Sequence, residues 1–325
     1  MTEKFNCFYV ANALIEDDGD PGEFKLHDAS ISGNLQEVMR LIEKEHLDPL
    51  QKNKRGHTAV HCAAVGGHLN VLRHFIEYRG CNAAGLDQNG RTLVHYAARN
   101  NHLLVIQYLI EKQQVEPFSR NKRGHTALHQ ACAGGSIDVI RYLAKEMSKH
   151  LPLKDVVHDR DYEGMIPMHG AILHGHLDLI KFFITDLKCD PNTTDYKNST
   201  CVHYSAQGGH LHILKYFIEQ HHLDPSCSDA SRCTPLHHAA YMGHQNIVQY
   251  LALEKHCDLM CTNVNNDTPL HVAARAGQLE IVKFLVETCK CPIDIRGYRN
   301  IMTPLDHART EGHHDIIEYL ESIKS

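Results

Sequence analysis

A motif returns along this chain at a nearly constant interval, and that spacing restricts the fold more than any other property of it. Its fullest statement is Thr234-Pro235-Leu236-His237-His238-Ala239-Ala240-Tyr241-Met242-Gly243-His244. With the threonine as marker, equivalent positions are Phe24, Thr58, Thr92, Thr126, Ile166, Thr200, Thr234, Thr268 and Thr303, spaced by 34 residues except for one interval of 40 and a last one of 35. A period of a few tens of residues marks a stack of similar supersecondary units, none of which can bury its apolar faces alone. The 325 residues therefore count units of one elongated domain rather than several independent cores.

Each unit reads as helix, turn, helix and projecting turn. In the copy at Thr58, the threonine caps the first helix, whose first positions accept proline in sister copies because their N–H groups have no partner within the helix. Ala63 and Ala64 keep that helix slim and Gly66-Gly67 ends it. The second helix carries Val71, Leu72, Phe75 and Ile76 on one face, and the same slots hold Val105, Ile106, Leu109 and Ile110 in the next copy. The projecting turns are Asn53-Lys-Arg-Gly56, Asp87-Gln-Asn-Gly90, Asn121-Lys-Arg-Gly124 and Asp161-Tyr-Glu-Gly164, with the acceptor-bearing first residue and left-handed fourth residue that such turns favour. Asn198 and Asn266 suit that fourth place; Arg232 and Ile301 do not, so the turn is least secure before Thr234 and Thr303. Polar residues enter buried slots at both ends (Ser30 and Glu37; Arg309 and Glu321), which predicts end caps and a complete array.

Thr268-Pro269-Leu270-His271-Val272-Ala273 reproduces T-P-L-H-x-A, and through it the chain resembles the ankyrin-repeat family over residues 24–325. The resemblance implies an all-α solenoid of about nine helix-turn-helix units, starting near 24, 58, 92, 126, 166, 200, 234, 268 and 303, with β-turn fingers along one edge. Residues 1–23 precede it as either a half-repeat or a frayed tail. The interval of 40 places an insertion at 145–157, which either lengthens a helix up to Pro152 or bulges as a surface loop.

Reactive chemistry finds little support. The 28 histidines suggest metal, but eight recur at the motif's fourth place (His27, His61, His95, His129, His169, His203, His237, His271) and six follow the helix stop (His68, His102, His176, His210, His244, His313). Equivalents in adjacent units stand a helix-packing distance of about 8–10 Å apart, too far to share a zinc ion whose ligands lie about 2 Å away. Cys81, Cys189, Cys257 and Cys291 occupy a slot that elsewhere holds Leu47, Val115 and Leu223, so they read as small apolar groups. Cys257/Cys261 and Cys289/Cys291 lack paired C-x2-C spacing. No secretory leader is evident, so the 12 cysteines are expected as free thiols of an intracellular protein, cytoplasmic with the nucleus as the alternative. The formal charge of −6 and the absence of a Lys/Arg block argue against nucleic acid, and no apolar run reaches membrane-spanning length. No nucleophile elbow, P-loop, H-E-x-x-H or Rossmann pattern occurs, so neither an enzyme nor a bound metal or cofactor is expected. Asp306, standing where the motif histidine would be and beside His307, reads as decay of the motif in a cap.

By resemblance the function is that of a protein-protein interaction scaffold or adaptor in signalling, monomeric by itself, binding a protein or acidic peptide on its concave face. A regulatory inhibitor of an enzyme and the recognition subunit of a larger enzyme assembly are the alternatives. The family contacts partners through the finger tips and the residues after the alanine pair. Here those places hold Lys54, Arg55, His57, Arg91, Arg99, Lys122, Arg123 and His125, followed by Tyr162, Met165, Tyr196, Tyr241 and Met242. The expected face is basic towards the N-terminal end and aromatic in the middle.

Overall fold

A computed structural model describes residues 24–53, 56–297 and 301–324. The segment 1–23, read above as half-repeat or tail, lies outside the described residues. The chain resolves into two compact units, one ending at Lys122 and one beginning at Arg123. In the first, helix pairs follow one another as α1 (Lys25–Ile31) and α2 (Leu35–Lys44), α3 (Ala59–Gly66) and α4 (Leu69–Arg73), and α5 (Leu93–Arg99) and α6 (Leu103–Gln107), with α1, α3 and α5 packed in sequence. The second holds α7 (Ala127–Gly134) and α8 (Ile137–Met147), α9 (Leu153–Val157), α10 (Pro167–Leu173) and α11 (Leu177–Thr185), α12 (Cys201–Gln207) and α13 (Leu211–Lys215), α14 (Pro235–Met242) and α15 (Gln245–Gln249), α16 (Pro269–Arg275) and α17 (Leu279–Lys283), and α18 (Pro304–Glu311) and α19 (His314–Lys324). No strand occurs among the described residues, only an isolated bridge between Gly297 and Met302. The fold class is the all-α repeat expected from the period.

Each first helix starts at the residue after the marker position, and from Thr58 to Thr268 the start is fixed by a cap built with the motif histidine. The Nδ1 atom of that histidine accepts the marker's backbone N–H, at 3.3 Å in His61, 3.1 Å in His95 and 3.2 Å in His203 and His237. One orphan donor of the helix start is thereby satisfied. Ile166 has no hydroxyl, yet its N–H still reaches His169 Nδ1 at 3.2 Å. In the last copy Asp306 takes the same role, accepting Thr303 N–H at 2.9 Å, so it is a working cap rather than a decayed motif residue.

The second helices of several repeats relax into a π turn, as in His74–Tyr78 after α4 and Tyr250–Glu254 after α15. The chain then closes with a wide turn in which the Cys81, Cys189, Cys257 and Cys291 N–H groups donate six residues back to the Phe75, Phe183, Leu251 and Leu285 carbonyls at 3.0, 2.9, 3.0 and 2.9 Å. That geometry brings the residue after the left-handed position against the helix it has just left. All four of these cysteines are buried, which accounts for a slot shared by Cys, Leu and Val.

The insertion matches neither expected alternative. Helix α8 stops at Met147, well short of Pro152; a tight turn follows, and Pro152 instead opens the separate helix α9. Met147, Val156 and Val157 are fully buried, so the extra residues extend the core rather than bulge from it. The turn before Thr234 also departs from expectation. Arg232 adopts φ 58° and its N–H reaches the Asp229 carbonyl at 2.9 Å, so the finger keeps its shape without glycine. Before Thr303, Gly297 N–H bonds the Met302 carbonyl at 2.7 Å and Ile301 is exposed. A side chain at Gly297 would meet the His271 ring at 2.9 Å.

Candidate functional site

The fingers of each unit are joined edge to edge by their backbones. In the first unit Lys122 N–H donates to the Asn89 carbonyl at 2.8 Å. In the second, Tyr162, Tyr196, Ala230 and Val264 donate to the carbonyls of Arg123, Glu163, Lys197 and Ser231 at 3.1, 3.1, 2.7 and 2.9 Å. Every link runs from the second residue of one finger to the third residue of the preceding one.

Three of the fingers are also tied to a helix by an acidic first residue. The Asp195 carboxylate accepts the N–H groups of Lys197 and Ser199 and the Tyr204 hydroxyl at 2.8, 2.7 and 2.7 Å. Asp87 does the same with Asn89, Arg91 and Tyr96, and Asp229 with Ser231, Cys233 and His238. Burial alone would raise the Asp87 carboxyl, but the Tyr96 hydroxyl, the Arg91 N–H and the Arg91 guanidinium together hold it down to about 2. The helix that starts at Pro167 has Gly170 at the place where Tyr96, Tyr204 and His238 stand in the three helices just described, and there His125 from the preceding repeat reaches Asp161 at 3.0 Å instead. Tyr96, Tyr204 and His238 were not singled out from the sequence. The signal was present, since each stands nine residues after its aspartate.

The histidines are committed to the stack. Nε2 of His203 and His237 lies 3.1 Å from the carbonyls of Cys233 and Asp267 in the following repeat. With Nδ1 already accepting an N–H, Nε2 carries the proton and donates, which fixes the neutral tautomer. Burial first, with neighbouring histidine charge adding to it at His61 and His203, pulls His61, His169, His203 and His237 down to about 4. The histidines after the helix stop bond backwards: His68, His102, His210 and His244 Nε2 lie 2.9, 2.7, 3.0 and 3.0 Å from the carbonyls of Ile31, Val65, Leu173 and Gln207, groups in the last turn of the preceding first helix that have no partner within it. The ring of His210 comes so close to Gly175, at φ 85°, that an added Cβ would meet it at 2.7 Å.

The cysteines beside these histidines are not poised as nucleophiles. Cys227 Sγ lies 3.7 Å from His203 Nδ1, but burial pushes the thiol up to about 11 while the imidazole is held neutral, the reverse of a thiolate-imidazolium pair. Burial likewise takes Cys62, Cys189 and Cys233 up to about 12. Among the described residues no cluster of three His, Cys, Asp or Glu side chains is placed to hold a metal ion.

The residues expected on the binding face divide into three groups. Lys54 and Arg55 lie outside the described residues. His57, Arg91, Arg99 and His125 are not free finger-tip charges: His57 is only 6% exposed, with Nε2 2.8 Å from the Tyr96 hydroxyl. Arg91 Nε sits 2.8 Å from Asp87 with its guanidinium 4.7 Å above the Tyr96 ring. His125 is bound to Asp161, and Arg99 is half-buried, with burial and then the Arg91 charge pulling its guanidinium below the usual range. These four therefore do not stand as free charges at the N-terminal end of the face, where a basic stretch was expected. Lys122 and Arg123 are exposed, Tyr162 and Tyr196 expose 66% and 68% of their surface, and Met165, Tyr241 and Met242 are half-buried.

Among the described residues no helix is long and apolar enough to cross a membrane. No curated protein matches the chain significantly. A family profile of ankyrin repeats in three copies matches residues 26–121, 112–195, 168–263 and 253–324, so the repeating cap, finger and helix pair described above are covered almost end to end. The chain belongs to the ankyrin-repeat family.

Proposed function

We propose that this protein is a non-catalytic scaffold or adaptor that binds a protein segment on the finger tips of its second unit. Ankyrin repeats are generally protein-protein interaction modules. The observation that carries the reading is a contrast in how side chains are used. Histidines and finger aspartates are hydrogen-bonded inside the repeats, whereas Tyr162 and Tyr196, large aromatic groups on neighbouring fingers, leave about two-thirds of their surface uncovered. Exposed aromatics flanked by Arg and Lys are the side chains that anchor interfaces. Arg123, Lys197 and Lys122 add positive charge at finger tips within their own units, which supports an acidic element in the partner.

The test is affinity capture from the source cells with the wild-type chain, with Tyr162→Ala/Tyr196→Ala and with Arg123→Glu. The reading expects a defined set of proteins whose recovery drops with the tyrosine pair and falls with salt more steeply for wild type than for the Arg123 variant, since exposed charges are screened over about 8–10 Å at physiological salt. An identical set recovered by all three baits would refute it, as would turnover of a substrate abolished by unfolding.

A further inference from the structure

The finger tips of the second unit form a row whose spacing selects the shape of the segment lying on it. At the second finger position the first unit carries the polar Gln88 and Lys122, whereas the second carries Tyr162, Tyr196, Ala230 and Val264, all exposed. Each finger runs out and back, Asp161 N–H meeting the Met165 carbonyl at 3.0 Å, and is bonded to the next. One finger therefore takes two strand spacings of about 4.8 Å each, so the tips recur about every 9.6 Å. Helices packed at about 8–10 Å give the same step.

A bound chain must then present a side chain to this row about every 9.6 Å on one side. An extended strand fails, because residues three apart point to opposite faces. It also has no edge to join: the N–H groups of all four tip residues already donate to the neighbouring finger. An α-helix needs a continuous apolar groove, whereas here the third finger places, Glu163, Lys197, Ser231 and Asn265, interrupt the row with polar groups. A polyproline II helix repeats every three residues with a rise of about 3.1 Å, a step of about 9.3 Å on a single face. The two tyrosines suit it in other respects. Their rings lie against Gly124 and Gly164, where an added Cβ would approach ring carbon Cδ1 at 2.8 and 2.6 Å, so each is braced from behind and offers its other side outward. Neither hydroxyl has a partner among the described residues, leaving two donors for the fully solvated carbonyls of such a chain. The Arg160 guanidinium lies 5.6 Å from the Tyr196 ring centre, and the exposed Arg123 adjoins Tyr162 through the finger ladder.

We propose that this row binds a proline-rich segment in polyproline II conformation, about ten residues long over its four tips, with an acidic residue towards the Tyr162 end. The inference rests on the partner-binding reading above and specifies its occupant. Random 16-residue peptides displayed on phage, selected on the full chain, provide the probe. Enriched peptides are then synthesised and their affinities measured against wild type, Tyr162→Ala, Tyr196→Ala and, as a control, Tyr78→Ala, whose ring is 75% exposed on a second helix of the first unit. Circular dichroism checks that each variant is folded. The expected outcome is enrichment of prolines three residues apart, with binding about 10-fold weaker in either finger tyrosine variant, a loss of the size typical of interface anchors. The control should be unchanged, and Pro→Ala in the peptide should weaken binding by a similar factor. Enriched peptides without that proline spacing, but still lost on Tyr162→Ala, would overturn the inference and leave the binding face standing. Peptides indifferent to both tyrosines, or no enrichment at all, would overturn both.

Discussion

Lowering the pH from 7 to 5 should loosen this fold through its buried histidines before its carboxylates are touched. His61, His169, His203 and His237 are at most 4% exposed and sit near 4, against an ordinary value of 6.5. Because the folded values lie below the unfolded ones, the unfolded chain binds more protons between pH 6.5 and 4. The stability these histidines supply is complete above about 6.5 and is lost as pH falls through that window, levelling off below about 4. Between pH 7 and 5 each loses just under about 2 kcal/mol, so the four together lose on the order of 7–8 kcal/mol. His27 and His271, also lowered chiefly by burial, act in the same direction. Asp87, Asp161 and Asp229 are lowered from an ordinary value already near 4, so their contribution is lost only at lower pH. The assay is urea unfolding followed by far-UV circular dichroism at half-unit pH steps. The midpoint should fall steeply from pH 6.5 to 5, with three to four protons taken up on unfolding. A midpoint that stays level or rises across that range would refute the assignment of neutral, hydrogen-bonded histidines.

Tyr204→Phe removes a hydroxyl from a buried carboxylate and should cost about 1.5–3 kcal/mol in the same unfolding assay, whereas Tyr196→Phe at an exposed finger tip should cost almost nothing. Arg232→Gly should raise stability by about 1 kcal/mol, because the backbone there already holds the left-handed conformation that glycine adopts freely; a loss would mean the arginine's own contacts dominate. Val157→Ala should cost about 1.6 kcal/mol or more, and the amides of Val156 and Val157 should exchange as slowly as those of the flanking helices, since α9 is part of the core.

What could be read from the sequence and what could not follow from the range of the interactions involved. Helix starts were legible because the cap is local: Thr, His three places on, and the alanine pair all lie within one turn or two. The buried faces of the second helices followed from periodicity for the same reason. The fate of His57 and Arg91 was not legible from finger position alone, because it depends on Tyr96 and Asp87, which lie on different elements of the unit and meet only when the finger folds back on the helix. Arg232 misled for a related reason: the two N–H bonds to the Asp229 carboxylate determine the turn and override the preference for glycine. The insertion could not be settled because Pro152 is compatible with ending one helix or beginning another, and only the burial of Val156 and Val157 decides between them.

The most direct test of partner binding on the fingers is hydrogen-deuterium exchange of the full chain with and without a partner recovered by capture. Slowed exchange should centre on the fingers at 160–166, 194–199 and 228–233, with the second helices α11, α13 and α15 unchanged. Protection confined to those second helices, with the fingers exchanging as in the free protein, would contradict it.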